Sequence, residues 1–310
     1  MQTRWNAGRI HSTPFLQRPS YRIGKTVNLC TMEHTGKLWV VATPIGNLDD
    51  LSARARDVLC NVGLIAAEDT RHSAALLKHI GSDAPTFALH EHNEREASAQ
   101  LVQRMRDGAT IALISDAGTP LVSDPGYRLV RAAREAGITV SPLPGACAAI
   151  AALSVAGLPS DRFVFEGFLP AKSAARRARL ETLRAETRTL IFYESSHRIA
   201  DALDDFAAVF GGGRRAVIAR ELTKLFETVL DGTLAELVAR LTADANQQRG
   251  EFVLLIAGAE EDADAARLVE GRRIFELLRR ELPPSRAAKL AAEISGASRK
   301  LLYDITQSAE

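Results

Sequence analysis

Short apolar runs of strand length recur through the first half of this chain, at residues 38–42, 64–67, 86–89, 110–114 and 138–141. Helical patterns fill the intervals at 48–59, 73–79, 93–106 and 125–136. Such β/α alternation predicts a doubly wound, mostly parallel sheet. Pro144 and Gly145 open an Ala-rich helix that runs to Ala156, and Gly157-Leu158-Pro159-Ser160 breaks the chain. A second alternation follows, with strands expected at 162–167, 189–193, 216–221 and 251–257. Between them a helix is expected over 196–210: Ile199, Ala202, Leu203, Phe206 and Phe210 recur at helical spacing, Ser195 or Ser196 can cap it, and Gly211 ends it. The pattern predicts two α/β domains, 37–157 and 158–259, meeting near 157–162, and domain interfaces favour small-molecule pockets. An acidic stretch at 260–264 leads into a helical tail over 260–310, split by Pro283-Pro284. Helices over 285–294 and 298–305, joined by Ser295-Gly296-Ala297, have helix-turn-helix spacing, which a plain helical hairpin shares.

Composition narrows the classes. A hydrophobic content of 46% is enough for full cores, and a net charge of +1 excludes a global basic field, so a nucleic-acid surface would have to be local. Cys30, Cys60 and Cys147 show neither metal-ligand nor disulfide spacing, which fits a reducing cytoplasm. No run approaches the roughly 18 apolar residues of a membrane span. Residues 1–36 are expected to form a disordered basic extension: Arg4, Arg9, Arg18, Arg22 and Lys25 meet no acid before Thr31. No apolar h-region follows, so a secretory signal is excluded, while a transit-type leader or a basic arm stays open. Met32 would make a natural alternative start.

The loops after the strands carry the candidate chemistry. Ser115-Asp116-Ala117-Gly118-Thr119-Pro120 leaves a strand and precedes a helix that Asp124 can cap and Pro125 can open. Backbone N–H groups and a helix N-terminus suit a polar ligand there. Thr43-Pro44-Ile45-Gly46-Asn47 follows the first strand but matches neither the dinucleotide fingerprint nor the P-loop. Glu68-Asp69-Thr70-Arg71 ends the second strand, and His90-Glu91-His92 the third. On a strand end, the His90 and His92 rings would point to opposite sides, which argues against a shared metal. Cys147 at a helix start reads as a small packing residue, and Gly211-Gly212-Gly213 as a loop after a helix. Arg176, Arg177 and Arg179 crowd a helix suited to phosphate contact, and Lys224 and Glu227 lie on a charged loop after a strand.

Taken in order, Val41 to Leu48, Ala67 to Arg71, Ser115 to Pro120, Pro144-Gly145, Phe192-Tyr193-Glu194-Ser195-Ser196-His197-Arg198 and Arg220-Glu221-Leu222-Thr223-Lys224 resemble the rRNA-modifying branch of the tetrapyrrole-methylase superfamily. The resemblance runs from about Lys37 to Gly258, and the helical tail fits it too. It implies two αβα domains with S-adenosylmethionine in the cleft between them, a homodimer and no metal. The implied reaction is 2′-O-methylation of a cytidine in 16S rRNA, at the decoding centre of the 30S subunit. By resemblance, Asp116, Gly118, Thr119 and Pro120 go to the cofactor, with Pro44 and Gly46 below it. Ala146, Cys147 and Ala148 lie near it, and Tyr193 comes from the second domain. Ser196 stands where the commonest family pattern has proline. A ribose hydroxyl is a poor acid, so Asp116, Glu68 or Lys224 would assist its deprotonation, the lysine only with a depressed pKa or as an electrostatic aid. Arg71, His90, Arg198, the basic helix with Arg176, Arg177 and Arg179, and Arg299 and Lys300 of the tail would hold RNA. A tetrapyrrole C-methyltransferase and a non-enzymatic ribosome-binding protein are the alternatives.

Overall fold

The computed structural model describes residues 36–260 and 263–302. The basic extension expected over 1–36 therefore lies outside the described residues, Gly36 apart, as does the end of the tail helix expected over 298–305.

Five strands form the first sheet: β1 (Lys37–Val41), β2 (Leu64–Ala67), β3 (Thr86–Ala88), β4 (Thr110–Ile114) and β5 (Thr139–Leu143). Their order is β3-β2-β4-β1-β5, and every pairing is parallel, as the alternation predicts. The central strand β4 is apolar at every buried position, because helices cover both of its faces. Ala112 and Ile114 pack with Leu59 of α1 (Ala53–Asn61) and Leu77 of α2 (Thr70–Ile80). Ile111 and Leu113 pack on the other face with Leu101 of α3 (Glu94–Arg106) and Leu129 of α4 (Tyr127–Glu135). The connection after β4 thus leaves by the face opposite to those used after its neighbours β1 and β2. A crevice opens at the carboxyl end of β4, where such sheets take their ligands.

Asp124 does not cap α4. The N-cap is Gly126, at φ +122, and the helix starts two residues after Pro125. The cap comes instead from buried Glu94, whose Oε1 accepts the N–H groups of Gly126 at 2.9 Å and Arg128 at 2.8 Å. The Asp124 carboxylate lines the crevice instead.

The second sheet has the order β6-β7-β10-β8-β9 and is mixed. β6 (Phe163–Phe168) pairs in parallel with β7 (Thr189–Ser195). The pairings of β10 (Glu251–Ile256) with β7 and with β8 (Arg215–Arg220), and of β8 with β9 (Thr228–Thr233), are antiparallel. β9 was not anticipated from the sequence. One face carries α6 (Ser173–Leu183), α7 (Ile199–Phe210) and α8 (Leu234–Ala243), through Leu180, Phe206 and Leu237. The other face, with Ile191, Val217, Ala219 and Val253, is covered by Ala149 and Leu153 of α5 (Ala148–Val155). So α5 leaves the first sheet and packs on the second, which brings its N-terminus to the join. Beyond Gly258, α9 (Ala263–Leu278) and α10 (Pro284–Ser295) enclose their own small core of Phe275, Ala287, Ala288, Ala291 and Leu302. Gly296 ends α10 in the left-handed conformation, at φ +71, and a further helix starts at Arg299.

Candidate functional site

The loops after β1 and β4 are stitched together. Thr43 N–H donates to the Gly118 carbonyl at 2.8 Å, and Gly118 N–H donates back to Thr43 at 3.1 Å. Thr119 Oγ1 donates to the Ala146 carbonyl at 2.9 Å and fixes the approach to α5. Gly118 sits at φ +83, and a Cβ there would lie 3.2 Å from Ile45 Cγ2, so the sequence needs glycine at this crossing.

These loops form one wall of a cleft of ≈ 410 Å3. Ile45, Asp116, Gly118, Thr119 and Asp124 line it from the first sheet, Cys147 and Ala148 from the start of α5, and Phe168, Tyr193, Leu222 and Val253 from the second. Tyr193 is held by its hydroxyl, which accepts the Ala149 N–H at 3.1 Å, and by edge contacts with Phe165 and Phe168. Among the described residues, four non-glycine positions have left-handed backbones, Leu121 and Ser123 on one loop and Glu221 and Thr223 on the other. Both loops reach the cleft, through Ser123 and Leu222. Strain of this kind persists where the surrounding structure enforces a shape.

The cleft floor is acidic. Burial, together with the charges of Asp124 and Asp116, raises the Glu68 carboxyl to about 7, partly offset by a hydrogen bond from the Asp116 backbone. Burial raises Asp124 to about 6, against a hydrogen bond with Ser115 and with the Asp116 charge adding to the rise. Asp116 Oδ1 accepts the Asp69 N–H at 3.1 Å, which tethers the loop after β4 to the end of β2. A second, more open cavity of ≈ 460 Å3 lies on the other side of that tether, lined by Glu68, Asp69, Thr70, Arg71, Ala88, His90 and Asp116.

Of the sequence-derived site residues, Asp116, Gly118, Thr119, Cys147, Ala148, Tyr193 and Glu68 thus come together on the cleft. Pro44 and Pro120 are buried, and neither lines it; Ala146 acts through its carbonyl. Gly46 serves the second sheet, since a Cβ there would lie 2.4 Å from Lys224 Cγ. Lys224 cannot be a base of depressed pKa. Burial pulls its ammonium down, but hydrogen bonds to Glu251 and Glu221, each at 2.9 Å, outweigh burial and raise it. Glu227 accepts the Thr223 N–H and is structural.

Several residues expected on RNA are engaged in ion pairs within the fold. Arg176 is 2% exposed and binds Asp205 of α7 at 2.7 Å, and Arg177 pairs with the same carboxylate. Arg179 spans to Glu166 at 2.6 Å. Arg198 donates to the Leu169 carbonyl at 2.6 Å and pairs with buried Glu194 at 3.1 Å. Arg71 and His90 line the second cavity, and Arg299 and Lys300 are exposed at the start of the last described helix. His90 and His92 lie in a turn after β3, not on a strand, so their rings meet edge to face at 6.1 Å rather than diverging. Among the described residues, no helix is long and apolar enough to cross a membrane. The sequence reading missed Asp124, Phe168, Glu194, Leu222 and Glu251 on the cleft. In sequence Asp124 reads as a cap, and the others reach the cleft from strands and turns whose pattern shows only core or connection.

Two α/β sheets thus line one cleft, at the carboxyl ends of the first. Residues 37–238 match the family described as Tetrapyrrole (Corrin/Porphyrin) Methylases, and 260–307 match the RsmI C-terminal HTH domain. Among similar solved structures, the methyltransferase CobJ is 18% identical with a TM-score of 0.54, over 72% of this chain and 95% of its own. Diphthine synthase is 15% identical with a TM-score of 0.54, over 72% and 90%. Much nearer in sequence is the ribosomal RNA small subunit methyltransferase I of Xylella fastidiosa (strain Temecula1), 61% identical over 88% of this chain and 99% of its own length. The protein of that name in Pseudomonas aeruginosa is 58% identical, over 86% and 95%, and that of Escherichia coli O157:H7 is 55% identical, over 86% and 93%. The chain belongs to the ribosomal RNA small subunit methyltransferase I family.

Proposed function

We propose that the protein is an S-adenosylmethionine-dependent methyltransferase of 16S rRNA, acting on the 2′-hydroxyl of a cytidine ribose at the decoding centre of the 30S subunit. The observation that carries this reading is the cleft at the carboxyl end of β4, which carboxylates line together with apolar and aromatic groups. The fit is chemical. A flat base and a cationic sulfur that joins it to an amino-acid end match a cleft that combines Ile45, Tyr193 and Val253 with Glu68, Asp116 and Asp124. The volume is in the usual range for a small-molecule site. When bound, S-adenosylmethionine supplies a methyl group made electrophilic by its sulfonium sulfur.

The chain supplies position and electrostatics. Gly118 and Thr119 hold the loop against Thr43 and Ala146, so the wall is set before a ligand arrives. Strand β7 presents Tyr193 from the other side. Lys224 stays charged and ties the loop after β8 to β10 by bridging Glu221 and Glu251, with its stem packed against Gly46. The exposed Arg299 and Lys300 contact RNA phosphates. We further propose that the protein works in the cytoplasm as a homodimer; light scattering then gives twice the monomer mass.

The test combines purified protein, methyl-labelled S-adenosylmethionine and 30S subunits from cells lacking this enzyme. Label recovered as 2′-O-methylcytidine in a nucleoside digest is the expected result. Cofactor binding without transfer to RNA would overturn the substrate assignment and turn attention to tetrapyrroles.

A further inference from the structure

We infer that the second cavity, across the Asp116–Asp69 tether from the cofactor cleft, seats the acceptor nucleotide, and that Glu68, which lines both cavities, takes the proton from its ribose hydroxyl. The inference rests on the methyltransferase reading above and adds the acceptor subsite and the base.

Three observations converge. The two cavities flank the loop after β4 and share only Glu68 and Asp116 in their walls. A group entering the second cavity therefore meets the contents of the first at these two carboxylates. Arg71, on the first turn of α2, faces the second cavity, and its guanidinium has no ion-pair partner among the described residues. A free guanidinium at the edge of a polar cavity suits a phosphate, with His90 opposite as a further donor. The remaining candidates for the base are placed differently. Lys224 is held between two carboxylates and lines neither cavity. Asp116 lines both, and its carboxylate holds the tether through the Asp69 N–H. Asp124 lines the cofactor cleft but not the second cavity.

The step balances. The O–H bond breaks and its proton goes to the Glu68 carboxylate, while the oxygen forms a bond to the methyl carbon. The carbon–sulfur bond breaks with its pair left on sulfur, so one positive and one negative charge disappear together. The proton leaves to solvent through the open second cavity. Around Glu68, the carboxylates of Asp116, Asp124 and Asp69 oppose its ionisation, and Arg71 and His90 are the basic groups on the same cavity. Asp116 is then a positioning residue: it fixes the loop between the cavities.

The experiment uses the full chain with 30S subunits, and the variants Glu68→Gln and Arg71→Ala. Glu68→Gln is expected to melt like the wild type, to bind 30S particles and, at saturating S-adenosylmethionine, to transfer methyl at least about 100-fold more slowly. Arg71→Ala is expected to raise KM for the RNA several-fold and leave kcat nearly unchanged. A readout free of turnover is the carboxyl NMR titration of Glu68 in the unloaded protein, expected near pH 7 and moved lower by Asp124→Asn. Near-wild-type transfer by Glu68→Gln, or a Glu68 midpoint in the ordinary carboxylate range, overturns the base. An unchanged RNA KM in Arg71→Ala overturns the subsite. Should the wild-type protein put no label on a ribose oxygen, the methyltransferase reading itself has failed, an outcome separate from either of these.

Discussion

One missing atom decides how the loops of the site cross. Gly118 is left-handed, and its missing Cβ leaves room for Ile45 where the loops after β1 and β4 cross. Valine there pays left-handed strain of about 1–3 kcal/mol and pushes on Ile45. Gly118→Val is therefore expected to weaken S-adenosylmethionine binding by about tenfold or more, measured by calorimetry. An unchanged affinity would remove this loop from the cofactor site. Asp205 is a residue of a different kind. It is 2% exposed and takes Arg176, Arg177 and Ser173 at once. Burial alone would raise its carboxyl, but these partners outweigh burial and hold it below the ordinary range. The stability it contributes is present above the unfolded carboxylate value and is lost as pH falls through the depressed folded one. Asp205→Ala strands a buried guanidinium and is expected to cost about 3–5 kcal/mol in urea unfolding, with no change in the salt dependence of RNA binding. A loss below about 1 kcal/mol would mean that Arg176 finds another partner or reaches solvent.

At the scale of elements, the parallel sheet was legible because β2 and β4 are apolar on both faces and turn-forming loops end them. β9 was not. Its residues alternate between exposed and half-buried at the sheet edge, and Asp231 and Gly232 read as a turn. Helix α6 misled in another way. Its arginines form a basic run in sequence, but Asp205 lies 29 residues from Arg176 on α7, and only packing shows that one of them is core. The cleft loops were legible as a set because the turn chemistry of each is local; which charge faces which is not local, so Glu68, Asp116 and Lys224 could not be separated. The tail keeps its basic character in the structure. Arg299 and Lys300 open an exposed helix after the Gly296 turn, and neither closes an ion pair among the described residues. The double variant Arg299→Glu, Lys300→Glu is expected to weaken 30S binding and to lower the slope of log affinity against log salt by about 1–2. Cofactor affinity should stay unchanged, since the tail has its own core away from the cleft residues. An unaltered salt slope would mean that the tail does not touch phosphate.

The whole molecule places two sheets around one cleft and concentrates carboxylates where the cofactor's sulfur is proposed to sit. Burial, with the like charges of neighbouring acids adding to it, is why Glu68 reaches about 7 and Asp124 about 6. Both folded values lie above the unfolded ones, so these groups favour the folded state most at low pH. Their contribution declines as pH rises from the ordinary carboxylate range through 6 and 7. A cation in the cleft reverses that penalty, and only the ionised carboxylates attract it. The protein should therefore distinguish S-adenosylmethionine from S-adenosylhomocysteine, which has the same adenosine and amino acid but a neutral sulfur, by an amount that grows with pH. The ratio of their dissociation constants, measured by calorimetry from pH 5 to pH 8, is expected to shift several-fold toward the sulfonium, most steeply between 6 and 7. Asp124→Asn should flatten the curve by removing one charge and easing the ionisation of Glu68. A ratio constant across this range would place the sulfur away from the carboxylates, against the apolar side of the cleft. The acids would then serve the second cavity alone.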